Sequence, residues 1–187
     1  NVSHVSCYGG SNGYIDLEII GGTSPFTYLW SNSDTTQDIG SLSSLVYSVS
    51  ITDATNCVIY RDVVVTEPQE LSVVSNVTSI LCYGDTTGTA SLQISGGVFP
   101  YILDWGTTNP YALTSGYHIY SVTDSNLCKF IDSVQITEPD SIQIIGNVNH
   151  VKCFGDFTGE IELQVIQGSG TPPYSYFWNG PNNFVST

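Results

Sequence analysis

Five cysteines and a few recurring carboxylates are the residues best equipped for chemistry in this chain. Cys7 and Cys57 lie 50 residues apart, and Cys82 and Cys128 lie 46 apart. Neither separation matches the short spacing of zinc-binding pairs, so the sulfurs point to disulfides and not to a metal. Each of the four begins or follows a turn-like segment, which would bring the two members of a pair to one end of a small domain. The expectation is two bridges, Cys7–Cys57 and Cys82–Cys128, each stabilising by roughly 4 kcal/mol in the chain-entropy picture. By the same spacing the mate of Cys153 falls beyond Thr187, so this sulfur is expected to be unpaired through truncation, and the unreduced chain to titrate with one reactive thiol. Paired cysteines imply an oxidising compartment and hence export.

Carboxylates and histidines offer less. Asp53 and Asp124 stand at equivalent turns and are weak calcium candidates, because calcium prefers several oxygen ligands. Glu67, Glu138, Asp85 and Asp156 could add to such sites, but no dense Asp-x-Asp-x-Asp cluster exists. Aspartates also cap turns unaided, which is the reading preferred here. His4 and His150 are equivalent, yet Ser79 takes that place in the middle copy, and His118 aligns with Tyr47. Catalysis performed by every copy would not tolerate such exchanges, so no enzyme activity and no cofactor are expected.

The chain of 187 residues carries seventeen acidic and three basic residues, a net charge of −14. Such a surface repels phosphate backbones and anionic lipid, which excludes direct nucleic-acid binding. It also favours solubility. No apolar run is long enough to span a bilayer, so no direct membrane insertion is expected. The opening Asn1-Val2-Ser3-His4 lacks the basic and apolar stretches of an export signal, so the chain reads as mature or as cut from something longer.

These residues are positioned by an internal repeat. Asn1-Val2-Ser3-His4-Val5-Ser6-Cys7-Tyr8-Gly9 returns as Asn76-Val77-Thr78-Ser79-Ile80-Leu81-Cys82-Tyr83-Gly84, and again as Asn147-Val148-Asn149-His150-Val151-Lys152-Cys153-Phe154-Gly155. The cysteines that open the copies are 75 and 71 residues apart. Gly13, Gly88 and Gly159 follow, then Gly21-Gly22, Gly96-Gly97 and the looser Gly168-Ser169-Gly170, then Pro25, Pro100 and Pro173. Trp30, Trp105 and Trp178 close each first half and are expected to anchor the cores. Thr52-Asp53 to Cys57 matches Thr123-Asp124 to Cys128, and Glu67-Pro68 matches Glu138-Pro139.

The repeats are assigned to residues 1–68, with the first strand partly missing; 69–139, complete; and 140–187, the N-terminal half only. Half a sandwich cannot bury a core, which suggests a window on a longer array. Completion by a strand from a neighbouring chain is the other possibility.

Tyr, Trp, Thr, Val and Ile favour strands, while eighteen Gly and eight Pro supply turns. Residues 89–95 and 117–123 alternate polar and apolar, and residues 71–81, 100–105 and 129–137 also read as strands. No stretch has helical periodicity. The expected fold class is all-β: tandem small antiparallel β-sandwiches of immunoglobulin-like shape. Tyr8, Tyr83 and Phe154 are expected to pack between repeats.

The ordered pattern Cys-Tyr/Phe-Gly-x-x-x-Gly, Gly-Gly, Pro, Tyr, Trp, Val/Ile-Thr-Asp-x-x-x-Cys, Glu-Pro resembles the SprB-type repeat. It covers Cys7 to Pro68, Cys82 to Pro139 and Cys153 to Trp178. The resemblance implies a large surface protein of the Bacteroidota, secreted by the type IX route, acting in adhesion or gliding motility without enzyme activity. The chain departs from the pattern at Val98-Phe99-Pro100 and in the longer loop from Gly168 to Pro173. Asp132-Ser133-Val134 and Asp140-Ser141-Ile142 match the short O-glycosylation signal of that group, making Ser133 and Ser141 weak candidate sites.

The leading expectation is a non-enzymatic extracellular stalk or filament whose partners are neighbouring repeats, with surface glycans or other cell-surface proteins as further candidates. The alternatives are a glycan-binding module, in which exposed Tyr and Trp stack on sugars, and a self-assembling fibre completed by strand exchange.

Overall fold

The computed structural model describes residues 1–180 and the strand Val185–Ser186. Every regular element among the described residues is a β-strand, and no helix there is long and apolar enough to cross a membrane. The chain groups into two compact units. One holds residues 1–75, 92–106 and 119–132, and the other holds 76–91, 107–118 and 133–187.

In the first unit six strands form two three-stranded antiparallel sheets. Strands β1 (Val2–Ser3), β2 (Gly13–Ile15) and β4 (Ile39–Leu42) make one, in the order β1-β2-β4. Strands β3 (Thr27–Trp30), β5 (Val46–Thr52) and β6 (Val58–Val64) make the other, in the order β3-β5-β6. Side chains alternate across a strand, and β5 shows it plainly: Tyr47, Val49 and Ile51 are buried, while Val46 and Ser48 are exposed. The core takes Ile15, Ile39 and Leu42 from one sheet and Trp30, Tyr47, Val49 and Ile51 from the other, with Val5 and Val65 closing it. This is a sandwich with its core between the sheets.

The direction of each strand fixes the ends of this brick. β5 and β6 are antiparallel, with Thr52 opposite Val58 and Val46 opposite Val64. The hairpin turn that carries Cys57 therefore lies at one end. Val5 N–H donates to the Thr66 carbonyl (2.9 Å), which places the Cys7 turn at the other. The chain reaches the far end because residues 31–38, outside any strand, make an extra pass along the sandwich. Trp30 Nε1 holds this pass through the Thr36 carbonyl (2.9 Å), and Asp38 receives the Leu17 N–H (2.8 Å) at its end.

The same plan recurs in β7 (Ser72–Thr78), β8 (Thr89–Ser95), β9 (Ile102–Asp104), β10 (Gly116–Thr123) and β11 (Lys129–Ile136), with sheets β7-β8 and β9-β10-β11. A lone bridge between Gly88 and Leu113 stands where Gly13 meets Leu42 in the first repeat. A side chain fits at neither glycine. A Cβ on Gly13 would lie 2.8 Å from the Leu42 carbonyl oxygen and from Val65 Cγ1, and one on Gly88 would lie 2.7 Å from Ile136 Cγ2. Strands β12 (Ile144–Asn149) and β13 (Glu160–Val165) pair antiparallel, as do β14 (Trp178–Asn179) and β15 (Val185–Ser186).

Trp30 is 2% exposed, and Trp105 is buried with its ring 5.1 Å from that of Tyr120. Trp178 is half-buried. Pro25, Pro100 and Pro173 each follow a cis peptide bond.

Candidate functional site

The cysteine chemistry differs from the pairing expected from sequence. Cys7 is bonded to Cys128, with Cα atoms 5.7 Å apart and a sequence separation of 121. Neither Cys7–Cys57 nor Cys82–Cys128 forms; Cys57, Cys82 and Cys153 are free and exposed. The reason is geometric. Cys7 sits beside Thr66, and Cys57 precedes β6, whose seven residues span roughly 20 Å. A disulfide needs Cα atoms within about 7 Å, so opposite ends of one sandwich cannot be bridged. The first cysteine of one repeat instead meets the second cysteine of the next.

Two kinds of carboxylate, a glutamate and an aspartate, present the two kinds of cysteine. The first kind sits in a tight turn: Gly10 N–H donates to the Cys7 carbonyl (3.0 Å), and Gly9 N–H donates to Glu67 Oε2 (2.6 Å). Asp85 N–H and Gly84 N–H repeat this at Cys82, the latter donating to Glu138 Oε2 (2.8 Å). Ser115 Oγ adds a bond to Glu138 Oε1 (2.7 Å). These bonds favour the charged form, the Ser115 hydroxyl most and the Gly84 N–H next, and they hold the Glu138 carboxyl below its usual range.

The second kind hangs from an aspartate. Asp124 Oδ1 accepts from the N–H groups of Asn126 (2.9 Å) and Cys128 (2.8 Å), and Oδ2 accepts from Val98 N–H (2.8 Å). Asp53 does the same. Its Oδ1 accepts from Thr55 N–H (2.8 Å), Thr55 Oγ1 (2.7 Å) and Cys57 N–H (3.0 Å), and its Oδ2 accepts from Thr23 N–H (3.2 Å). The Thr55 hydroxyl above all, with the backbone donors behind it, lowers the Asp53 pKa. Each aspartate thus ties the glycine loop to the cysteine turn.

That role favours the turn-capping reading of Asp53 and Asp124 over the calcium one. Both oxygens of each already face N–H or O–H donors, which a cation would have to displace. Among the described residues no group of three or more His, Cys, Asp or Glu is placed to hold a metal ion. Glu67 and Glu138 likewise receive backbone N–H groups.

Around the disulfide the contacts are close. Asn126 Nδ2 donates to the Ser6 carbonyl (2.9 Å), and Gly97 N–H donates to the Gln69 carbonyl (2.8 Å). Gly96 is left-handed (φ +71°), and any Cβ there would overlap the Glu70 carbonyl oxygen. Tyr8, Glu70, Leu71 and Leu127 line an open cleft of about 410 Å³ beside the sulfurs.

Sequence reading missed Asn126 and Leu127. Leu127 holds φ +67°, where the first repeat has Asn56 at +64°. Asn favours that region, but nothing in a leucine announces it.

Other candidates are scattered. His4 Nδ1 accepts from Thr66 N–H (3.1 Å), and His118 Nε2 lies 2.8 Å from the Thr114 carbonyl oxygen. Ser133 lies within β11, half-buried, and Ser141 accepts from Gln143 Nε2 (3.2 Å). Tyr8, Tyr83 and Phe154 are exposed, the first beside the disulfide cleft. With Trp30 and Trp105 withdrawn into the interior, neither can stack on a sugar.

The model of the SprB repeat matches three segments, residues 1–35, 74–105 and 145–183, which together exceed half the chain. The chain belongs to the SprB repeat family. Each match begins ahead of an opening cysteine and runs past the glycine loop, so the matched segment recurs at about the spacing read from the sequence. SprB repeats are structural repeats found in cell-surface proteins, and a disulfide fits an extracellular setting. No curated protein and no solved structure matches the chain.

Proposed function

We propose that this SprB-repeat chain is a non-catalytic, load-bearing segment of an extracellular stalk or filament that serves adhesion at the bacterial surface. Its repeats, over residues 1–68, 69–139 and 140–187, would provide reach and present surface to neighbouring repeats and to glycans or proteins of the substratum. Gliding motility and type IX secretion are the setting that the family suggests.

The Cys7–Cys128 bond carries this reading. A pull on the chain passes through the bond, so the segment it encloses, between Cys7 and Cys128, cannot lengthen even when its sandwich unfolds. An open chain of that length would extend by roughly 400 Å. The negative surface keeps adjacent stalks apart, and Glu67-Pro68 and Glu138-Pro139 stiffen the links because proline narrows the backbone.

Single-molecule stretching tests the mechanical part. With the bond intact, full unfolding should stop roughly 400 Å short of the length reached after reduction. Equal lengths in the two states would remove the load-bearing role. Antibodies to the chain should label intact source cells, and labelling only after lysis would remove the surface assignment.

A further inference from the structure

The closed joint at Cys7–Cys128 is built from parts that recur where no bond is drawn. Where the second repeat ends, Ile80 N–H donates to the Thr137 carbonyl (2.9 Å), as Val5 does to Thr66 at the end of the first. Gly84 N–H donates to Glu138, as Gly9 does to Glu67. Gly170 N–H donates to the Asp140 carbonyl (3.1 Å), as Gly97 does to Gln69. Tyr174 Oη donates to the Ser169 carbonyl (2.7 Å), as Tyr101 does to Gly96 (2.6 Å). The result is a second cleft of about 380 Å³, lined by Cys82, Tyr83, Pro139, Ile142 and Gly170. These stand in for Cys7, Tyr8, Pro68, Leu71 and Gly97 of the first cleft. The first cleft also holds the Asp124–Cys128 turn, and the second holds no counterpart among the described residues.

Cys57 shows the opposite half. Asp53 N–H donates to the Cys57 carbonyl (3.0 Å) and Asn56 N–H to the Asp53 carbonyl (3.0 Å), as Asp124 and Leu127 do around Cys128. Its turn is formed and its thiol is exposed.

We infer that Cys82 and Cys57 are open halves of the same inter-repeat disulfide. Cys82 accepts the second cysteine of another SprB-type repeat, borne on an Asp-x-x-x-Cys turn, and Cys57 accepts a first cysteine, borne on a Cys-Tyr-Gly turn. The array is then laced from repeat to repeat and no single sandwich is stapled to itself. The bond forms by thiol–disulfide exchange with an oxidised dithiol carrier. One thiolate attacks the carrier's disulfide and gives a mixed disulfide with release of one carrier thiolate. The second cysteine thiolate displaces the other carrier sulfur. The carrier leaves as a dithiol, having taken two electrons and the two protons given up by the cysteines. This inference concerns how repeats are joined and does not depend on what the stalk adheres to.

The test uses the whole chain, unreduced, and two synthetic peptides whose cysteine is activated as a 2-thiopyridyl disulfide. One carries the sequence of residues 122–130, the other that of residues 79–86. Thiolate attack joins peptide to protein and releases thiopyridone, and peptide mapping identifies the cysteine modified. The 122–130 peptide should modify Cys82 at least tenfold faster than Cys57 or Cys153, and the 79–86 peptide should prefer Cys57. Exchanging the aspartate of the 122–130 peptide for alanine should erase its preference. Reaction at Cys82 no faster than with a scrambled peptide, or indifference of both peptides among the three thiols, would overturn the inference. Cys82→Ser, read by loss of the labelled peptide alone, checks the assignment without requiring any change in folding.

Discussion

Asp53 and Asp124 occupy the same place in successive repeats, accept from the same kinds of backbone donor and hang a cysteine from the same turn. Their surroundings differ. Asp124 is 1% exposed, whereas Asp53 remains partly open to solvent. Cys128 is bonded and Cys57 is free. The turn is a property of each repeat, formed with or without a neighbour. The burial and the covalent bond are properties of the joint. In this chain, then, the cysteine turn of the first repeat is formed while its thiol is free, and the equivalent turn of the second repeat is both buried and bonded.

The largest effect expected from this contrast is on stability. Cys7→Ser should lower the unfolding free energy of the oxidised chain by about 5 kcal/mol, measured by urea denaturation, because the long loop is no longer closed in the unfolded state. Cys57→Ser should change it by less than about 0.5 kcal/mol. Equal losses would mean that the two turns are not in different states. Thiol titration of the unfolded, unreduced chain should then find three reactive sulfurs, Cys57, Cys82 and Cys153. A count of one would restore pairing within each repeat.

Asp124→Ala comes next. It strands three backbone N–H groups in a buried setting and should cost about 3 kcal/mol, with Asp53→Ala distinctly milder because water can replace its carboxylate. Gly88→Ala should cost about 2 kcal/mol by forcing Ile136 and the Leu113 carbonyl aside, and Gly13→Ala should match it. That parity tests whether the interiors of the repeats, unlike their joints, are equivalent.

The smallest effect is electrostatic. Asp53 and Glu138 have pKa values lowered by folding, so their contribution is fully present above the unfolded values and is lost as pH falls through the folded ones. The chain should lose stability below roughly pH 4. Thr55→Val should raise the Asp53 pKa in a carboxyl NMR titration, and an unchanged value would show that the Thr55 hydroxyl does not set it.

Much of the fold is legible in the sequence because period-two alternation and turn residues act locally. The strand expected at residues 89–95 is β8 itself, and those expected at 117–123 and 129–137 differ from β10 and β11 by one residue at an end. The disulfide is not legible, because it depends on parity. Four strands separate Cys7 from Cys57, and four reversals would return the chain to its starting end. Residues 31–38 add a fifth pass held by Trp30, Asp38 and Gln37, whose Nε2 donates to the Leu17 carbonyl. Nothing in their composition marks them as an element. One uncounted pass moves Cys57 to the far end and reassigns every bridge. The aspartates are a different case: the turn capping preferred from sequence is what Asp53 and Asp124 do, yet acidic residues near a turn look alike from sequence whether they wait for a cation or cap the backbone, and only the positions of the N–H donors separate the two.

The bond between Cys7 and Cys128 also changes what a protease can accomplish. A nick at any one peptide link between those two residues leaves both fragments on a single covalent thread. The protein then survives, as a connected object, an attack that would sever an ordinary polypeptide. In an environment rich in hydrolases, that tolerance of single cuts is as valuable as resistance to being cut at all.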